Sequence, residues 1–170
     1  MMITETERLY AREYSESDLG KLTKICSDAD VMRYIGHGGV LSPDQVQKML
    51  NHYIKNYREN GYGMYAVINK TTGELTGQCG LNFIKSLNEV EIAYLFEKES
   101  WGKGHATEIS KEILKFGFIR IGLTKIIALA YPENKASIKV INKIGLKFVK
   151  PIHIWERDLN YYSSETTPDQ

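Results

Sequence analysis

The stretch that decides the reading is Glu99 to Thr107, ESWGKGHAT. Two glycines flank Lys103, and a helical pattern starts at once behind them. Ile109, Ile113 and Phe116 recur at i, i+4 and i+7, while Glu108, Lys111, Glu112 and Lys115 face water and pair at i+3 and i+4 spacing. The first amides of a helix have no partner within it, and they stand at the positive end of its dipole. An anion placed there is held by several amides at once. Gly102 and Gly104 carry no Cβ, which lets a ligand oxygen come up to the backbone. The stretch is therefore a seat for a phosphate or pyrophosphate, or a glycine turn with no ligand. Two nucleotide signatures fail. A P-loop needs Ser or Thr directly after its Gly-Lys pair, whereas Lys103 is followed by Gly104. A dinucleotide fingerprint needs a third glycine where Thr107 stands.

Working outward, the period changes on both sides. Upstream, Tyr62–Asn69, Glu74–Phe83 and Glu89–Phe96 read as strands whose short connections favour an antiparallel meander. Downstream, a helix runs from His105 to Ile121. The continuous apolar run Lys125–Ala130 is a central strand, Ala136–Ile144 is a helix closed by Gly145, and Leu146–Val149 with Trp155–Tyr162 make a last pair of strands. Before the meander, residues 3–14 read as one strand and Ser17-Asp18 open a helix bearing Leu19, Leu22 and Ile25. A helical piece covers Asp28 to Tyr34, and Ser42-Pro43 cap a helix whose Val46, Met49, Leu50, Tyr53, Ile54 and Tyr57 follow a 3.6 period. Between the last two, Gly36, Gly38 and Gly39 mark a loop. This order predicts an α/β (α+β) fold: a mixed, mostly antiparallel sheet with helices on both faces. Residues 1–162 form one domain and 163–170 a polar tail.

Composition narrows the function. A net charge of +1 from 22 basic and 21 acidic residues gives no footprint for a nucleic acid partner. No apolar run nears the roughly 20 residues of a membrane span, and MMITETERLY lacks a signal-peptide pattern. Cys26 and Cys79 make no disulfide framework, and a cytoplasmic protein is expected. His37, His52, His105 and His153 show no metal-ligand spacing, so no metal is expected.

The segment EIAYLFEKESWGKGHATEISKEIL resembles the acetyl-CoA motif of the GNAT superfamily of N-acetyltransferases. Its pattern R/Q-x-x-G-x-G/A is matched by Trp101 to Ala106, with Trp in the first place, as in the branch of the ribosomal-protein alanine acetyltransferases. ERLYAREYSESDLGKL, DVMRYIG and PENKASIKVINKIGLKFV resemble further segments of that branch in the same order. The resemblance spans nearly all of residues 4–162.

It implies the GNAT fold, with strands Glu89–Phe96 and Lys125–Ala130 splayed to admit the pantetheine arm of acetyl-CoA. The backbone of Leu95 and Phe96 would pair with the pantetheine amides, and that of Gly102, Lys103, Gly104, His105, Ala106 and Thr107 would hold the pyrophosphate. Pro132 helps to stop strand pairing. Asn134 would bond the cofactor arm, or cap the helix behind it. Ser137 would face the sulfur and stabilise the thiolate, or bond locally. Glu91 matches the branch's x-E-I-x-Y position and would be the base, against an ordinary exposed strand carboxylate. Tyr94 points to the other face, as core. Ile141 stands where many relatives carry a tyrosine acid, a place Tyr161 or Tyr162 could fill from the last strand. Met32, Arg33, Tyr34 and His37 would border the acceptor pocket. The implied reaction is direct transfer of acetyl from acetyl-CoA to a primary amine, a protein N-terminus or a small molecule, in a ternary complex. The alternatives are a polyamine or aminoglycoside acceptor, or an acyl-CoA-binding module without turnover. A homodimer is left open.

Overall fold

The computed structural model describes residues 1–165. Its strands are β1 (Met2–Glu5), β2 (Leu9–Arg12), β3 (Met64–Asn69), β4 (Leu75–Ile84), β5 (Glu89–Phe96), β6 (Lys125–Ala130), β7 (Lys147–Ile154) and β8 (Arg157–Glu165). They form one eight-stranded sheet in the order β1-β2-β3-β4-β5-β6-β8-β7. Every neighbour pair is antiparallel except β5 and β6, which run parallel.

The helices are α1 (Leu19–Cys26), α2 (Ala29–Met32), α3 (Pro43–Asn60), α4 (His105–Lys115) and α5 (Lys135–Lys143). Strand alternation divides the core between two layers. Ala66 and Ile68 of β3 pack with Leu22 and Ile25 of α1, Met32 of α2 and Leu50 of α3. Tyr65 and Val67 turn the other way, onto Ile109 and Ile113 of α4 and Ile141 of α5. Ser42 starts α3 with a capping box shared with Gln45, and Gly61 ends it at φ 74°. Cys26 and Cys79 are buried free thiols whose pKa burial pushes up, to about 11 and about 12.

Three expectations are corrected by local chemistry. The first strand is a hairpin, because Thr6 turns the chain: its amide donates to the Leu9 carbonyl and its hydroxyl accepts from the Leu9 amide. The helix after His105 holds α geometry to Lys115 and continues to Ile121 as a wider π turn, where Gly117 presses against Ile126 and Leu81. The last hairpin is longer than expected. β7 passes through Pro151, which the outermost strand tolerates because its outer amide needs no partner. The stretch 163–170 is strand as far as Glu165; its other five residues lie outside the described ones. Among the described residues no helix is long and apolar enough to cross a membrane, and no group of three His, Cys, Asp or Glu could hold a metal.

Candidate active site

The site begins where β5 stops. Past Phe96 the chain makes a short turn, and the Trp101 indole Nε1 donates back to the Phe96 carbonyl at 2.8 Å. Trp101, the departure in the first motif place, thus staples the loop to its strand. Gly102 and Gly104 then adopt φ of 70° and 78°, a left-handed backbone that favours glycine. Gly104 is the cap residue of α4 and has no side chain to satisfy the amides behind it. The first helical bond of α4 runs from the Glu108 amide to the Gly104 carbonyl, so the amides of His105, Ala106 and Thr107 precede the ladder.

Two side chains sharpen this seat for an anion. Arg8, outside the expected set, reaches across from the β1–β2 turn. Its Nε donates to Glu108 at 2.7 Å, and its Nη2 lies 3.6 Å from where a Cβ on Gly104 would stand. Burial would raise the Glu108 carboxyl, but bonds from Thr6 and Arg8 outweigh it and hold the pKa below the ordinary value. His105 is 5% exposed, stacks obliquely on Phe96, and keeps a buried Nδ1 with no hydrogen-bond partner. Burial, with Arg8 nearby, lowers its pKa and keeps the ring neutral near pH 7. Lys103 and His105 line a cavity of about 400 Å³ beside the loop.

The splay is the second element. β5 and β6 meet in a single register pair, Glu91 with Ile127. Beyond it β5 remains paired only to β4, with Leu95 opposite Gln78 and Phe96 opposite Gly77. The Glu97 amide donates to Thr76 of the β4 side. Antiparallel alternation then turns the backbone of Leu95 to β4 as well, and that of Tyr94 and Phe96 to the gap. The Leu95 carbonyl indeed lies only 2.4 Å from where a Cβ on Gly77 would stand. Of the two backbone positions expected to meet the pantetheine, the Phe96 amide faces the gap. Leu95 does not, and the Phe96 carbonyl is taken by Trp101. The backbone groups of Tyr94 face the gap beside the Phe96 amide.

The third element is a cleft of about 160 Å³ at the splay, lined by residues from both sheet faces, Glu91, Tyr94, Asn134, Ser137 and Ile141 among them. Glu91 lies on the α1–α3 face, where Asn82 of β4 donates to its Oε1 at 3.2 Å. It is no ordinary exposed carboxylate: burial raises its pKa to about 7, against the opposing pull of Asn82 and Arg157. Tyr94, one face over, packs on the α4–α5 core as expected. Its hydroxyl, however, reaches Ser137 of α5, 2.9 Å from Oγ and 3.1 Å from the carbonyl oxygen. Asn134 is the cap of α5, its Oδ1 accepting from the Ser137 amide at 3.2 Å. Its Nδ2 makes no hydrogen bond among the described residues, and Asn134 lines the cleft.

The far wall comes from three segments. Tyr34 and Ile35 precede the glycine loop, Tyr131 follows β6, and Trp155 and Arg157 lie on the β7–β8 hairpin. Tyr131 and Arg157 both donate to the Gly36 carbonyl, fixing that loop over the cleft. Trp155 and Glu156 hold φ of 52° and 58° without being glycine, a strained turn that sets the Trp155 ring 5.1 Å from the Arg157 guanidinium carbon. Of the expected border, Tyr34 is present. Met32 is core, Arg33 pairs with Asp30 at 2.9 Å, and His37 is exposed and absent from the lining. Neither late tyrosine replaces the acid: Tyr161 gives its hydroxyl to Glu89, and Tyr162 is buried against Phe148. Arg8 lies within ERLYAREYSESDLGKL without a role being readable there, and Asn82 and Arg157 come to the site only through strand pairing or a turn.

Residues 8–147 match the family model described as acetyltransferase (GNAT) domain. The uncharacterized N-acetyltransferase p20 of Bacillus licheniformis is 32% identical over 143 residues, covering 84% of this chain and 80% of that protein. The crystal structure of a GNAT-family acetyltransferase from Bacillus anthracis superposes with a TM-score of 0.82 at 29% identity, covering 97% of this chain and 98% of the other. The ribosomal L7/L12 α-N-protein acetyltransferase solved in complex with coenzyme A shares the fold, with a TM-score of 0.84 at 18% identity over 97% and 98% of the two chains.

Proposed function

The chain belongs to the GNAT acetyltransferase family, and from that premise we propose that it moves acetyl from acetyl-CoA to a primary amine by direct attack in a ternary complex. The observation that carries the reading is the cleft, which joins a carboxylate of pKa about 7 on one sheet face to a serine–tyrosine pair on the other.

The chain's residues suit acetyl-CoA at three points. The glycine backbone and α4 amides, with Arg8 and Lys103 close by, fit a pyrophosphate. The unpaired edge of β5 fits the amides of a pantetheine arm. The Asn134 amide group fits a carbonyl on that arm. When bound there, acetyl-CoA supplies a thioester carbonyl open to attack. Glu91 takes the proton of the incoming ammonium or amine. A base is most useful when its pKa lies near the working pH, and burial puts Glu91 there. Ser137 donates a hydrogen bond to the departing sulfur. Tyr34, Tyr131 and Trp155 shut water away from the far side and orient the acceptor, either a protein N-terminus or a small amine.

The test is release of free coenzyme A thiol when the protein, acetyl-CoA and a panel of amines are mixed. The panel holds N-terminal peptides, polyamines, aminoglycosides and free amino acids. Release with at least one amine, abolished by Glu91→Gln, is expected. Release that never exceeds buffer with any amine sinks the reading.

A further inference from the structure

The loss of the usual helix tyrosine at Ile141 leaves the sulfur end of the reaction without its customary partner. Ile141 is itself 1% exposed and sealed in the core. The neighbourhood of Ser137 is nonetheless not empty. β5 sends Tyr94 across to the first turn of α5, and its hydroxyl is the polar side-chain group that meets Ser137 Oγ, at 2.9 Å. Resting on the acetyl-transfer reading above, we infer that Tyr94 is a positioning residue for the reaction: its hydroxyl engages Ser137 so that the serine O–H is aimed as a hydrogen-bond donor at the departing sulfur.

The argument is one of donors and acceptors. Tyr94 has a single O–H and two acceptors in reach, the Ser137 Oγ and, at 3.1 Å, the Ser137 carbonyl. The carbonyl lies in α5, where helical bonding already fills one of its two acceptor sites, whereas the Oγ meets no other bond among the described residues. When Tyr94 donates to Oγ, the serine's own proton must point elsewhere, and the remaining direction with something to gain is the cleft that both residues line. A chain of two donors, Tyr94 to Ser137 to sulfur, polarises along its length as negative charge grows on the sulfur. Burial raises the Tyr94 pKa well above the ordinary 10.0, so the O–H stays a donor at every working pH.

The step balances without a separate acid. The amine nitrogen bonds to the acetyl carbon, the carbon–sulfur bond breaks, and its electron pair leaves on sulfur as a thiolate. Glu91 takes the amine's proton, and Ser137 stabilises the thiolate by hydrogen bonding. The thiolate is protonated by water once released, since thiols titrate near ~8.5.

The test is single-turnover transfer by wild type, Tyr94→Phe, Ser137→Ala and the double variant, with acetyl-CoA and with its selenoester analogue. Phenylalanine keeps the ring and its packing, and coenzyme A affinity within twofold of wild type verifies an intact cleft. Loss of one transition-state hydrogen bond predicts a roughly tenfold slower transfer by Tyr94→Phe, with KM for acetyl-CoA nearly unchanged. The selenolate is a weaker base and needs less help, so the deficit shrinks with the selenoester in both single variants. The double variant is no slower than Ser137→Ala, because the tyrosine acts only through the serine. A deficit equal for both donors, deficits that multiply in the double variant, or no deficit at all overturns the assignment and leaves Tyr94 as a tether between β5 and α5. A wild type inert towards every amine overturns this inference together with the function it rests on; an active wild type with an unaffected Tyr94→Phe overturns this inference alone.

Discussion

Replacing Glu91 by Gln removes the base while changing almost nothing else. The amide is isosteric, and its oxygen still accepts from Asn82. Two consequences can be worked out. In catalysis, a carboxyl of pKa about 7 is roughly one-tenth ionised at pH 6 and nine-tenths at pH 8. The acceptor amine's own titration is the same for both proteins. The ratio of wild-type to variant kcat/KM therefore isolates Glu91, and should climb about tenfold from pH 6 to pH 8 and then level. The absolute loss at pH 8 should be about 10²- to 10⁴-fold. In stability, the folded carboxyl holds its proton up to about pH 7, against 4.5 in an unperturbed chain. Between those values the folded state binds more protons than the unfolded, so wild-type stability falls as pH rises through that window. The full difference amounts to at most about 3 kcal/mol. Urea unfolding should find Glu91→Gln as stable as wild type near pH 4 and more stable at pH 8. A ratio that stays flat from pH 6 to 8, or a wild type that loses no stability relative to the variant, would refute the assignment of a base with a raised pKa.

Other perturbations probe the remaining parts. Arg8→Gln should weaken acetyl-CoA binding about 5- to 10-fold and flatten its salt dependence, as expected for one lost charge beside a phosphate; isothermal titration at two salt concentrations reads both. Gly77→Ala puts a Cβ 2.4 Å from the Leu95 carbonyl and 2.5 Å from the Phe96 ring, and should cost about 1–3 kcal/mol by denaturant unfolding. Ile113→Ala, at a fully buried position between α4 and the sheet, should cost about 2–5 kcal/mol in the same assay.

Much of the architecture was legible because its signals are local. The period of α3, the Ser42 cap, the apolar run of β6 and the glycines before α4 each declare one element without knowledge of the rest. Glu91 and Ser137 are expected at the site from their place in a motif, and both line the one cleft. What sequence could not carry is whatever depends on a crossing of elements. Tyr94 read as core because strand alternation puts it on the inner face, and it is there; only the approach of α5 turns its hydroxyl into a partner for Ser137. That the backbone of Leu95 turns to β4 and not to the gap depends on the β4–β5 register, a non-local pairing. Arg8 sits in the β1–β2 turn and Arg157 at the start of β8, each far along the chain from the residues it serves. The π turn after Lys115 and the strand through Pro151 each break a local rule for a tertiary reason: a helix pressed on the sheet at Gly117, and a strand at the open edge.

The central claim is that the backbone from Gly102 to Thr107 and the splayed β5–β6 edge hold acetyl-CoA. Calorimetric titration of acetyl-CoA into the purified protein and into Gly104→Glu tests it most directly. That substitution puts a side chain at φ 78° and a negative charge where the pyrophosphate would lie. Saturable one-to-one binding by the wild type, lost in a variant that still unfolds cooperatively, is the predicted result. A folded wild type that binds no acetyl-CoA, or a folded Gly104→Glu that binds it equally well, would contradict it.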